Sequence, residues 1–120
     1  DFIVLWYPGL LPMDRRADLL GDKPDPSTRD QVLAVNYVSK ATPPTFIFHT
    51  GDDELVPTKG ILEFYSALQA AGVPAELHVF ERGRHGMGFA MTDAALRPAP
   101  SLLENWLQRR GVLDMTPAKP

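Results

Sequence analysis

No cysteine occurs in the 120 residues. That excludes a disulfide framework, a thiolate zinc site and a cysteine nucleophile. It fits a reducing compartment and many exported proteins alike, so the compartment is not read from it. No apolar run approaches the ~20 residues that a membrane helix needs. Basic residues are not in excess: 12 Lys and Arg stand against 15 Asp and Glu, a formal net charge of −3. A nucleic-acid partner, which wants a basic stripe, is disfavoured on that ground. No initiator methionine, signal peptide or charged leader precedes the first apolar segment. Internal repeats and low-complexity tracts are absent too.

What is present suits one folded domain. Apolar residues make up 44% and charged residues 22%, which reads as a soluble globular chain able to build a core. Proline is abundant, 12 residues where the usual share is about 5%. The prolines divide the chain into segments. Phe2 to Tyr7 is apolar or aromatic without alternation, the pattern of a strand covered on both faces. It is therefore expected to be a central strand of a parallel sheet. Residues 8 to 27 read as loop, because Pro8, Pro12, Pro24 and Pro26 exclude helix interior. A short helix is expected next, with Thr28 and Gln31 as a capping box and Val32, Leu33 and Val35 as its apolar positions.

Pro43 and Pro44 introduce a second strand, Thr45 to His49. Thr58 to Ala71 carries Ile61, Phe64, Tyr65 and Leu68 at helical spacing, with Gly72 as the stop and Pro74 beyond it. Glu76 to Glu81 mostly alternates, a strand nearer the sheet edge. A loop with Gly83, Gly86 and Gly88 follows. The last helix is expected to open on the capping box Ser101 and Glu104, to carry Leu102, Leu103, Trp106 and Leu107, and to end at Arg109-Arg110-Gly111. Asp114 to Pro120 is a tail. Strands alternating with helices mean an α/β fold with a parallel sheet.

Ligands of such sheets sit beyond the carboxyl ends of the strands. Two loops reach that edge: His49 to Glu54, and Arg82 to Gly88. Asp53 can accept a hydrogen bond from a histidine ring and set its tautomer. His85, flanked by glycines, can take and return a proton. Asp53 is equally a residue that turns attract for local hydrogen bonding. His78 reads as a solvated strand residue and His49 as structural. A metal site of His49, Asp53 and His85 matches no common ligand spacing.

His49-Thr50-Gly51-Asp52-Asp53-Glu54-Leu55-Val56-Pro57 resembles the acid-bearing H-G-x-x-D-x-x-V-P segment of α/β-hydrolases, departing from it at Thr50. Gly83-Arg84-His85-Gly86-Met87-Gly88-Phe89 resembles the histidine loop of that fold. Ala71 to Phe80 looks like its edge-strand approach, and Trp106 to Gly111 like its final helix. The set most resembles the carbohydrate-esterase and acetylxylan-esterase-like branch related to dienelactone hydrolases, over residues 1 to about 113. The resemblance implies about three parallel strands with flanking helices, an incomplete sheet, and the C-terminal half of a serine carboxylic-ester hydrolase. Acetylated sugars are an implied substrate class.

Carried over, Asp53 is the triad acid, which the V-P spacing selects over Asp52, and His85 is the general base. No metal or organic cofactor is implied. The nucleophile elbow G-x-S-x-G, expected before the first strand, has no counterpart. Ser27 follows a proline turn, Ser39 lies on no strand-to-helix elbow, Ser66 is in the amphipathic helix and Ser101 is read as a cap. The oxyanion loop is lacking too. The chain alone is thus expected to be inactive and to need the missing N-terminal half, or another copy, to complete its sheet. Pro8 to Pro26 and Met87 to Pro100, with Phe89, Met91 and Trp6, are the candidate walls of a substrate site. Two other readings are a hydrolase-derived binding or assembly module without catalysis, and a receiver-like signalling domain, which the proline content and strand count disfavour.

Overall fold

A computed structural model describes residues 1–10, 31–89 and 92–114. The residues form two compact units, Asp1–Gly86 and Met87–Pro120. The first unit contains three parallel strands: β1 (Ile3–Trp6), β2 (Thr45–Thr50) and β3 (Ala75–Phe80). Their order in the sheet is β1-β2-β3. Helix α1 (Thr58–Ala70) links β2 to β3, and a short 3₁₀ helix (Ala34–Tyr37) precedes β2.

Register sorts the side chains onto two faces. Leu5, Ile47 and Leu77 form one row across the strands. This row meets the helix: Ile47 packs with Val56, Ile61, Phe64, Leu68 and Val73 in one buried cluster, with Leu5, Tyr65 and Leu77 against it. The expected stripe of α1 is therefore its buried face, Tyr65 being the half-buried member. Adjacent residues point the other way, and that face is aromatic. Trp6 stacks on Phe48 with centroids 4.4 Å apart and on Phe46 at 6.3 Å. Phe48 meets Phe80 at 5.3 Å. Trp6 thus packs among strand aromatics.

All six residues of β2 are buried, whereas the four of β1 are half-buried. Among the described residues β2 is central and β1 lies at an edge of the three strands.

Helix α1 ends in a Schellman turn. Val73 N–H donates to Leu68 O at 2.9 Å and Gly72 N–H to Gln69 O at 3.0 Å. Gly72 takes φ 71°, which needs no Cβ penalty there. Of the segment expected to form a short helix, only the part from Gln31 onward is described. Only the 3₁₀ turn forms among residues 32–38; Leu33 is buried while Val32 is exposed. Thr28, and with it the capping box, lies outside the described residues, as do Pro12 to Pro26.

The second unit contains α2 (Ala99–Arg109). It starts two residues before the expected Ser101, and no side chain caps it. Pro98 is the flanking residue and Pro100 sits in the first turn. Proline brings a helical φ and lacks the N–H that a cap would satisfy, so it starts the helix without a serine. At the other end Val112 N–H donates to Leu107 O at 3.0 Å, the same turn as in α1, and the Arg110 guanidinium lies 4.8 Å over the Trp106 ring. Phe89 is exposed; Met91 and residues 115–120 lie outside the described residues. No helix is long and apolar enough to cross a membrane among the described residues.

Candidate functional site

The site is built where β2 and β3 end side by side, with Thr50 opposite Phe80. The chain leaves β2 through Gly51, whose N–H donates to Phe80 O at 2.7 Å. A Cβ at Gly51 would sit 3.2 Å from Glu81 O, so the close approach of the two strand ends favours glycine. The turn then brings Asp53 inward. Its Oδ1 accepts from the backbone N–H of both Leu55 and Val56, each at 2.9 Å. This is the local turn hydrogen bonding that aspartate offers. Its other oxygen is not spent on the turn. Oδ2 accepts from His85 Nδ1 at 2.7 Å.

Both readings of Asp53 thus coexist in one side chain, one oxygen for each. The Asp53 side chain is fully buried. Burial pushes its pKa up, but the Val56 N–H, the His85 ring and the Leu55 N–H together outweigh burial and hold it below the ordinary value. An ionised carboxylate can only accept, so Nδ1 of His85 carries a proton, and in the neutral form of the ring the lone pair is on Nε2. The His85 side chain is partly exposed, at 28%.

His49 lies one turn before Asp53 and is fully buried. Its Nε2 donates to Val56 O at 3.0 Å and stands 3.8 Å from Asp53 Oδ2. Nδ1 has no hydrogen-bond partner among the described residues. Burial, the largest influence, depresses its pKa against the pull of the Val56 carbonyl and of Asp53. The ring is therefore neutral near pH 7 and leaves the Asp53 charge to His85. Among the described residues no three His, Cys, Asp or Glu converge as a metal site. The facing nitrogens of His49 and His85 are already occupied by Val56 O and Asp53.

His78 departs from the expectation of a solvated residue. Its Nε2 bonds Glu76 Oε1 at 2.7 Å, and its ring lies 5.3 Å from that of Phe46. Residues two apart on a strand share a face, so this pairing was readable from Glu76-Leu77-His78. Three further residues contribute contacts to the site that the sequence did not indicate, although Thr50 and Asp52 stand in the motif itself. Tyr7, buried at the end of β1, sets its ring 5.9 Å from that of His85 and adopts φ 53°. No sequence feature marks that strained backbone. Thr50 and Asp52 both bond the backbone of Gly83; these contacts join residues more than thirty positions apart, which no local pattern reveals. Serines stand elsewhere. Ser39 bonds the N–H of Ala41 in a turn, Ser66 is exposed on α1 and Ser101 is within α2. Ser27 lies outside the described residues.

Comparison with known proteins agrees with this architecture. The chain is 35% identical, over 90% of its length, to an acetylxylan esterase of Xylanibacter ruminicola, of which it spans 25%. It superposes on an acetyl ester-xyloside bifunctional hydrolase from Caldicellulosiruptor lactoaceticus with TM-score 0.84 and 39% identity, over 94% of this chain and 43% of that one. A carboxylesterase from Lactobacillus plantarum matches with TM-score 0.71 and 25% identity, over 96% of this chain and 46% of that one. The chain therefore spans a quarter of the curated relative and under half of these solved chains. The family model that matches, over residues 10–110, is that of the prolyl oligopeptidase family. With its parallel α/β architecture and matches of this extent, the chain belongs to the prolyl oligopeptidase family of α/β-hydrolases.

Proposed function

We propose that Asp53 and His85 are the acid and base of a serine-type hydrolase of carboxylic esters, with acetylated sugars as the substrate class. The observation that carries this is the 2.7 Å bond from His85 Nδ1 to an Asp53 whose other oxygen is held by two backbone N–H groups. Asp53 stays ionised and fixed in place. It selects the His85 tautomer whose Nε2 can accept a proton from an attacking hydroxyl. The hydroxyl oxygen bonds to the acyl carbon, and its proton passes to Nε2. The imidazolium formed is stabilised by Asp53 and returns the proton to the leaving alcohol. Water then repeats the cycle on the acyl-enzyme. The nucleophile is read as a serine outside these 120 residues, because the sequence holds no G-x-S-x-G elbow and, of the described serines, Ser39 stands in a turn and Ser66 and Ser101 on helices. No metal or organic cofactor enters these steps.

The family is named for peptide hydrolysis, and the same relay can serve an amide. The ester is preferred because the relatives at 35% and 39% identity carry ester-hydrolase names. The test is made on the full-length protein with p-nitrophenyl acetate and with a prolyl peptide amide. His85→Ala is expected to lower ester turnover by about 10³-fold or more. A fluorophosphonate is expected to label a serine beyond this chain. Ester turnover close to wild type in His85→Ala would overturn the base assignment. A label on Ser27, Ser39, Ser66 or Ser101 would overturn the nucleophile assignment, and preference for the peptide would overturn the substrate class.

A further inference from the structure

We infer that Thr50 and Asp52 act as a two-sided clamp on Gly83 and so position His85; the inference rests on the reading of His85 as the base. Gly83 lies two residues before His85 in the loop that follows β3. Both of its backbone polar groups are taken by side chains from the end of β2. Asp52 Oδ1 accepts from Gly83 N–H at 2.6 Å. Thr50 Oγ1 donates to Gly83 O at 2.7 Å. The first bond is charge-assisted and short. The second starts from a fully buried threonine.

The backbone at Gly83 has φ 149°, a conformation that any side chain would strain, so the loop needs this grip to stay in one geometry. The Gly51 N–H to Phe80 O bond just below closes the same seam from the backbone. Asp53, the partner of His85, directly follows Asp52. The acid and the base are thus registered to each other twice, once by their own bond and once by the clamp. Thr50 is the position at which this sequence departs from the H-G-x-x-D pattern. A glycine there has no hydroxyl to offer Gly83 O, so this arm of the clamp belongs to the departure.

A clamp of this kind acts on geometry. Misplacing a catalytic group by about 1 Å costs up to about a hundredfold in rate. The test uses the full-length protein and reads ester kinetics together with the low-field imidazole proton of His85 in 1H NMR. Asp52→Ala is expected to lower kcat by about tenfold or more, leaving KM within about twofold. It is also expected to broaden or lose the low-field proton as the Nδ1 bond to Asp53 loosens. Asp52→Asn, which keeps an acceptor oxygen for Gly83 N–H, is expected to restore most of both signals. Thr50→Val, which keeps the shape of the side chain and removes its hydroxyl, should move them in the same direction as Asp52→Ala. An unchanged kcat and an unchanged His85 proton in Asp52→Ala would overturn the clamp, as would failure of Asp52→Asn to restore them. If instead His85→Ala retains ester turnover, the reading of the base fails. The NMR signal still tests the clamp in that case, because it reports His85 geometry independently of turnover.

Discussion

Asp53 does two jobs with two oxygens, and two substitutions separate them. Asp53→Asn retains Oδ1, which accepts from Leu55 and Val56 N–H. It replaces Oδ2 with an NH₂ group that cannot accept from His85 Nδ1. The imidazole then takes the opposite tautomer, with its proton on Nε2, and cannot accept one from a nucleophile. Turnover is expected to fall by about 10⁴, the loss that a wrong tautomer causes in the serine protease triad. The stability cost should be small. A bond to a charged acceptor is worth about 1.5–3 kcal/mol, and the loss falls at the low end because the partly exposed His85 ring finds water.

Asp53→Ala removes the acceptor for the turn as well. Leu55 is 70% exposed and its N–H can turn to water, but Val56 is 7% exposed and its N–H cannot. One buried donor left without a partner costs about 1–3 kcal/mol. Asp53→Ala should therefore unfold at lower urea than Asp53→Asn by that margin, with turnover equally low. Unfolding of the full-length protein, followed through Trp6 and Trp106 fluorescence, supplies the first comparison, and p-nitrophenyl acetate hydrolysis supplies the second. Asp53→Asn turnover within about tenfold of wild type, or coincident unfolding of the two variants, would refute this division of labour.

The buried His49 predicts acid sensitivity. Its folded pKa lies below the ordinary 6.5, so its contribution is complete above that value and is lost as pH falls below it, at up to about 1.36 kcal/mol per pH unit. The Asp53 contribution, with its pKa held below 3.8, is lost only in more acid solution, as pH falls through its folded value. His49→Gln should flatten the stability profile between about pH 6.5 and pH 5; an unchanged slope would exclude His49 as its source. Leu68→Ala, in the cluster between α1 and the sheet, should cost about 2–5 kcal/mol in urea unfolding, and a loss under about 1 kcal/mol would mean that α1 is not packed on the sheet as described.

The legible parts of the fold were those set by covalent constraint or by local period. Pro43 and Pro44 bracket β2, and its apolar run leaves no alternative to burial on both faces. Ile61, Phe64 and Leu68 recur at helical spacing, so α1 is visible with its stop at Gly72. The start of α2 was misread because Ser101 matches a capping motif, while the prolines before it set the helical φ directly. At the site, Asp53 and His85 were legible as residue types in the right loops and through their resemblance to known motifs. The bond between them, the grip on Gly83 and the Tyr7 ring beside His85 are contacts between distant residues. They exist only once β1, β2 and β3 are in register.

That register has a consequence for how such a site can change over time. The Asp53–His85 bond and the contacts of Thr50 and Asp52 with Gly83 fall within one contiguous stretch that runs through β2, α1 and β3 and is entered after a double proline. A change of sequence outside that stretch leaves these bonds in place, so on the proposed reading the surroundings of a substrate can differ while the Asp53–His85 pair stays the same.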